Sequence, residues 1–554
     1  MVHPRLAAAA PDGRHLLEST AALVVRLDPA ELERGAAFVR SLGGEAAGAA
    51  GLASLASASV VGFDPLAVSG WRGIGADADQ PVWLQIDRSV AGASDLVHLR
   101  AAVRIADGAR ATAWARALPM VERPWTGEPP KGKSPLADHL GGLAPADLET
   151  AARELAARGT LAAGRVRGTN ALLLVRRVGA FLVLDALWTP REGALRWTNH
   201  HALVLERLDA PRAGAGHDLA SAGGAGAQLL DRPGLAVWSR PGGALDLGRT
   251  LLDAPLECDD HRLRATAAAI TDAALSLRVG PQRLQLDLAW GVAEGVPLAA
   301  ALAPRDDGLF APRRQAGAVL SAGIYLPGVA ALRELPRAAA VDAGWSPLWR
   351  RARPCGTAAR VDLTLFAWPE LAAQWLAETA ALSPGAAALV ASARNVAFAA
   401  RRVSARDRRD WVVAAEASLD GAGRPVVEAI LDAVFGGRAA ARRPRAHTAW
   451  AGSILRPYLL PGSARRPDVV GVGVGAASLA WRLRHPGAAP RRAAGTTFAR
   501  AAGDAAALLR QLAPDLGAPW SQLATTAAAR VGSFQGSIAA ERAAVRASFI
   551  LRRR

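Results

Sequence analysis

The stretch from Ala22 to Leu42, ALVVRLDPAELERGAAFVRSL, decides the fold class. A short β-branched run leads into Asp28-Pro29, and a helical pattern follows with Glu31 and Glu33 in its first turn. Proline at a helix start sacrifices no intrahelical hydrogen bond. Acids there complement the N-terminal end of the helix dipole. Gly234–Leu252, GLAVWSRPGGALDLGRTLL, repeats strand, proline and helix, and Ala322–Leu335, AGIYLPGVAALREL, is a looser third copy. Repetition at this level is a sign of architecture before any motif is considered.

A second unit also recurs. Pro81–Asp87 (PVWLQID) and Leu96–Ile105 (LVHLRAAVRI) read as strands, followed by Asp107-Gly108 and the helix ARATAWARAL. Asn395–Val403 (NVAFAARRV) and Trp411–Leu419 (WVVAAEASL) precede Asp420-Gly421 and the helix PVVEAILDAVF in the same order. A third unit is a hairpin with period-2 alternation. It is found at Ala171–Trp188, at Ala274–Trp290 around Val279-Gly280-Pro281, and at Ser537–Leu551. The expected fold is therefore α+β: two related lobes of antiparallel sheet backed by helices. The boundary is expected in the low-complexity run Ala213–Gly226, giving lobes of residues 1–225 and 226–554.

The order of these units resembles a group of large, uncharacterised exported or envelope proteins of high-GC bacteria. The resemblance is carried by LVVRLDP (Leu23–Pro29), GFDPLAVSGWRGIGADADQPVWLQID (Gly62–Asp87) and GVGVGAASLAWRLR (Gly471–Arg484). It implies a domain of unknown function with internal repeats and an envelope setting, and it carries no activity. Such proteins usually begin with an export signal or a lipidated cysteine. Here MVHPRLAAAAPDGRHLLEST has no long apolar core, so it does not read as a secretory signal.

Bulk composition bounds the rest. The chain has 554 residues, of which 51% are hydrophobic, and a net charge of +17. That length calls for more than one core. From residue 341 onward there are 30 Arg against 14 acids, leaving 36 basic against 35 acidic residues in the first 340. The excess thus belongs to the C-terminal half, where Arg401, Arg402, Arg408, Arg409, Arg442, Arg443 and Arg445 are candidate anion-binding residues. Anionic lipid, polysaccharide or an acidic protein are the partners such a surface attracts. Nucleic acid ranks below them, because neither a zinc finger nor a basic zipper is present. The charge-free stretches Ala46–Phe63 and Gln315–Leu332 are too weakly apolar or too broken to suggest a membrane span. Cys258 and Cys355 exclude a disulfide-dense scaffold and leave both bonded and free thiols open.

Lys131 and Lys133, the only lysines, fall in TGEPPKGKSP (Thr126–Pro135), which spells a phosphate-binding loop with Gly127, Gly132, Lys133 and Ser134. Such a loop cradles phosphate with successive backbone N–H groups. Pro129 and Pro130 have none, and no strand leads into the segment. Asp185, within FLVLD, has the look of a magnesium-holding partner, although the sister hairpin carries a similar Asp287. The alternative to a binding or scaffold protein is therefore a nucleotide-dependent enzyme using Gly127–Ser134 with Asp185. The bland reading of the loop is a proline-stiffened linker, and it is preferred.

Gly471, Gly473 and Gly475 miss the dinucleotide spacing and read as a glycine-rich strand. Cys258, Asp259, Asp260 and His261, with His200 and His201, do not have zinc-site spacing. No catalytic motif is recognisable, so the expectation is a non-enzymatic protein without cofactor or metal.

Overall fold

The computed structural model describes residues 13–41, parts of 47–58, 62–91, 94–118, 159–165, 172–188, 219, 223–252, 270–293, 318–325, 393–405, 408–419, 423–435, 438–439, 448–450, 455–460, 468–474, 497–517, 520–541 and 544–553. The fold is α+β, built from antiparallel sheet and helices. It forms two compact units, residues 1–255 with 272–279, and residues 256–271 with 280–554.

In the first unit, β1 (Leu23–Leu27) is central. It pairs with β2 (Val82–Ala91) on one side and β7 (Leu235–Ser239) on the other. Outward from β2 lie β3 (Ser94–Arg104), β6 (Phe181–Trp188), β5 (Leu172–Val178) and β4 (Thr160–Arg165). Beyond β7 lies β8 (Ile270–Val279). Every pairing is antiparallel. The division expected at residue 225 precedes β7, and pairing with β1 holds β7 in the first unit.

The local reasons are those of the sequence. α1 (Pro29–Ser41) begins on proline, after Asp28 has turned the chain out of β1. The Asp28 carboxylate takes both Arg26 nitrogens, at 2.9 and 3.2 Å, and the Gly234 N–H at 2.6 Å. Glu31 does more than complement the helix dipole: it is buried and accepts the Val279 N–H at 2.8 Å. α2 (Val68–Gly73) follows, and α3 (Gly108–Ala117) starts on Asp107, whose side chain accepts the N–H groups of Ala109 and Arg110. β5 and β6 close a hairpin in which Val178 faces Phe181, leaving Gly179-Ala180 as the loop. Gly179 has φ +58°, the left-handed value a two-residue hairpin turn requires.

One face of this sheet is apolar and packs on helices. Leu27, Val82, Leu84, Val103, Leu182 and Val175 gather with Trp71 and Ile74 of the α2 region and Ala115 of α3. On the same face Leu247 of α5 (Pro241–Leu252) meets Leu23, Ile86 and Val97. A short helix, α4 (Ala227–Leu230), precedes β7.

The second unit repeats the connectivity. β10 (Leu320–Tyr325) is central between β11 (Ala393–Ala405) and β17 (Thr497–Asp504). Beyond β11 come β12 (Arg408–Leu419), β16 (Asp468–Val474), β15 (Leu455–Leu460), β14 (Thr448–Trp450) and β13 (Arg438–Ala439). Beyond β17 come β18 (Val531–Glu541), β19 (Ala544–Arg553) and β9 (Arg283–Val292). The strand pairs around β10 match those around β1 one for one, out to β14 and β18. α6 (Gly423–Phe435) packs Val427 and Leu431 on Leu419, Leu459 and Val470. α7 (Ala505–Leu512) is capped by Asp504 and packs on Phe534 and Leu551, and α8 (Trp520–Arg530) leads into β18.

The sequence at Ala274–Trp290 reads as a hairpin, and both arms are strands, β8 and β9. Their partners lie elsewhere: β8 pairs with β7, and β9 with β19 from Gly291↔Ala544 to Arg283↔Arg552. Among the described residues no helix is long and apolar enough to cross a membrane.

Candidate functional site

The face of the first sheet opposite the helices carries charge under cover. Val24, Gln85, Arg100, Asp185 and Leu174 lie in one row across β1, β2, β3, β6 and β5, and Asp87 faces His98 in the next. Gln85, His98 and Arg100 are completely buried, and Asp87, Asp185 and Arg176 nearly so.

Asp185 is the centre of this cluster. Arg100 Nε donates to Oδ1 at 2.7 Å, His98 Nε2 lies 3.0 Å from Oδ1, and Arg176 Nε donates to Oδ2 at 3.3 Å. Burial by itself would raise the acid's pKa. The Arg100 charge, the His98 hydrogen bond and the Arg176 charge outweigh it and hold the carboxyl well below the usual carboxylate range. An ionised carboxylate can only accept, so His98 bonds it through an Nε2–H. The His98 Nδ1 is buried without a hydrogen-bond partner among the described residues.

The cover is the chain's own segment Arg14–Ala22, held by backbone groups. Arg100 Nη1 donates to the Leu16 carbonyl at 3.3 Å, Gln85 Oε1 accepts the Glu18 N–H at 2.8 Å, and Asp87 Oδ1 accepts the Ala22 N–H at 2.7 Å. Gln85 Nε2 also donates to Asp87. Each buried polar side chain thus meets a partner whose loss would strand it in low dielectric. Further along, Asp272 accepts from the Ala227 N–H at 2.9 Å and Trp238 Nε1 at 3.1 Å.

This placement bears on the nucleotide reading. Asp185 is mid-strand, since β6 continues to Trp188, and its oxygens accept from three cationic or imidazole N–H groups. A magnesium ion there would have to displace those donors. Gly127, Gly132, Lys133 and Ser134 lie outside the described residues, as do Cys258, Cys355, His200, His201 and His261. Among the described residues no cluster of three or more metal-ligating side chains occurs.

In the second unit the corresponding strands place Gly323, Ala397, Glu416, Gly471 and Tyr458 in one row. Tyr458 is fully buried and its hydroxyl donates to Glu416 at 2.6 Å. A methyl group at Gly471 would sit 2.2 Å from Tyr458 Cζ, so the glycine-rich strand is a packing requirement.

No family model, curated protein or solved structure matches the chain.

The arginine candidates divide by position. Arg442, Arg443 and Arg445 lie outside the described residues. Arg401 and Arg402 are in β11, and Arg408 and Arg409 in β12, where the register sets Arg401 opposite Val412, Arg402 opposite Trp411, Ser404 opposite Arg409 and Ala405 opposite Arg408. Antiparallel pairing therefore gathers all four at one end of a single hairpin. Sequence reading found the arginines but not their convergence; the signal was two strand-like runs joined by Ala405-Arg406-Asp407-Arg408.

Proposed function

We propose that the protein is a non-enzymatic binding or scaffold protein of the bacterial envelope whose basic C-terminal half engages anionic partners. The observation that carries this reading is the convergence of Arg401, Arg402, Arg408 and Arg409 on one hairpin end. The net charge supports it, since nearly all of the excess lies beyond residue 340. The envelope setting rests on the resemblance in LVVRLDP and the segments quoted with it. The non-enzymatic character is supported by the commitment of Asp185 to ion pairs beneath its own cover.

Two measurements test the proposal. Full-length protein on an immobilised anionic polymer should be retained at low salt and released steeply as salt rises, because exposed charge pairs are screened. Passage without retention would overturn the reading. A thermal-shift titration with Mg-ATP should leave the melting temperature unchanged for wild type and for Lys133→Ala. A dose-dependent rise lost in the variant would establish the nucleotide-dependent alternative at Gly127–Ser134.

A further inference from the structure

β9 and β19 carry a pairing that costs the second unit stability. Their register sets Arg283 directly opposite Arg552, with Gln285 opposite Ile550 in the next row of the same face. Residues facing each other across an antiparallel pair lie about 5 Å apart at Cα, and like charges so placed repel. Both arginines are exposed, and neither has an ion-pair or hydrogen-bond partner among the described residues. The acids of the neighbouring strands do not relieve them. Asp287 is buried about 13 Å along β9 from Arg283. There the Gln285 amide donates to both its oxygens, at 3.1 and 3.0 Å. Asp504 of β17 is committed to the Ala507 N–H at the start of α7.

The rest of the face is made for hydrogen bonding. Alternation puts Gln535 of β18 beside Ile550, opposite to the face on which Phe534 and Leu551 meet α7. Gln535 is exposed, and its amide is free among the described residues. Gln285 donates through Nε2 to Asp287, which leaves its Oε1 to accept. No aromatic side chain lies in these two rows.

We propose that this face, with Arg283, Arg552, Gln285 and Gln535, binds an acidic polysaccharide. The inference rests on the anionic-partner reading above and adds a second contact site and the class of partner. An anionic group between Arg283 and Arg552 turns a repulsive pair into two charge-assisted contacts, since the guanidinium fork matches a carboxylate in geometry as well as charge. The amides of Gln285 and Gln535 then meet sugar hydroxyls, each of which both donates and accepts. Single-stranded nucleic acid stacks its bases on aromatic platforms, and a bilayer surface is anchored by interfacial tryptophan or tyrosine. These rows offer neither.

The test is equilibrium binding of the full-length protein to polygalacturonate, with neutral dextran, single-stranded DNA and phosphatidylglycerol vesicles as the other arms. R283Q/R552Q removes the pair, and R510Q/R530Q removes the same charge from exposed positions on α7 and α8. R552E replaces the repulsive pair with an attractive one. Thermal melting is measured on every variant. Wild type should bind polygalacturonate and not dextran. R283Q/R552Q should lose roughly ten-fold in affinity, the effect of two exposed ion pairs, while R510Q/R530Q stays near wild type. R552E should also bind weakly, yet melt roughly 1–3 °C above wild type, because its new carboxylate meets Arg283.

A lower melting temperature for R552E would show that the two arginines do not face each other in solution, and would overturn the site. Unchanged binding by R283Q/R552Q, or an equal loss in R510Q/R530Q, would overturn it while leaving the anionic-partner reading intact. Tighter binding to DNA or vesicles than to polygalacturonate would overturn the polysaccharide assignment. If wild type bound none of the anionic probes, the anionic-partner reading itself would fall.

Discussion

The two units share strand connectivity and differ in what they place on the face away from their helices. Around β1 that face carries Arg100, Asp185, His98 and Arg176, with Gln85 and Asp87, beneath residues 14–22. Around β10 the same strands carry Gly323, Ala397 and Gly471, with one phenol–carboxylate pair. The first unit places charge inside and satisfies it with its own backbone. In the second, Arg401, Arg402, Arg408 and Arg409 gather at one end of the β11–β12 hairpin. Connectivity fixes where a side chain is carried, and residue identity then decides whether that place is a structural core or a surface for others.

The largest effect expected from breaking this contrast is at Asp185. Asp185→Asn leaves Arg100 and Arg176 buried without their shared counter-charge, at a cost of about 3–5 kcal/mol. Urea unfolding should show it in the first unit's transition. The pH dependence has a definite sign. The folded-state pKa of Asp185 is depressed, so its stabilisation is complete above the unfolded value, about 3.9, and fades as pH falls toward the folded one. The stability gap between wild type and Asp185→Asn should hold from neutral pH to about 5 and narrow below it. A gap that widened in acid would contradict the ion-pair account.

In the second unit the equivalent weakness is steric. Gly471→Ala sets a methyl against the buried Tyr458 ring and should cost about 1–3 kcal/mol. Tyr458→Phe, which removes the donor to Glu416, should cost roughly 1–2 kcal/mol. If Gly471→Ala were neutral, the close approach of strand and ring would not exist in solution.

The smallest effects sharpen the likeness. Asp107→Ala and Asp504→Ala each remove a side chain that caps a helix following a strand, and each should cost about 1 kcal/mol by urea unfolding. Unequal losses would show that the two capped helices carry different weight in their units.

Much of this architecture is written locally. The turn Leu27-Asp28-Pro29 with Glu31 fixes β1 and α1, Asp107-Gly108 fixes the start of α3, and Val178-Gly179-Ala180-Phe181 closes a hairpin. Partner choice is not local. ALSLRVGPQRLQLDLAW specifies two strands by alternation, yet their observed partners, β7 and β19, are far away in sequence. Gln85 and Asp87 in PVWLQID occupy the polar phase of an alternating strand and would ordinarily face solvent. They are buried because residues 14–22 lie over them, and no short-range pattern announces that. Asp185 drew attention as a metal partner because FLVLD isolates it among apolar residues. Its true partner Arg100 is 85 positions away and emerges only from the β3–β6 register.

The measurement that tests the account most directly is amide hydrogen exchange of the protein with and without a soluble anionic polymer. Slowed exchange should be concentrated in Arg401–Ala405 and Arg408–Val413, with the β2–β3 hairpin of the first unit unchanged. Protection centred on the first unit or on Gly127–Ser134, or no protection at all, would contradict it.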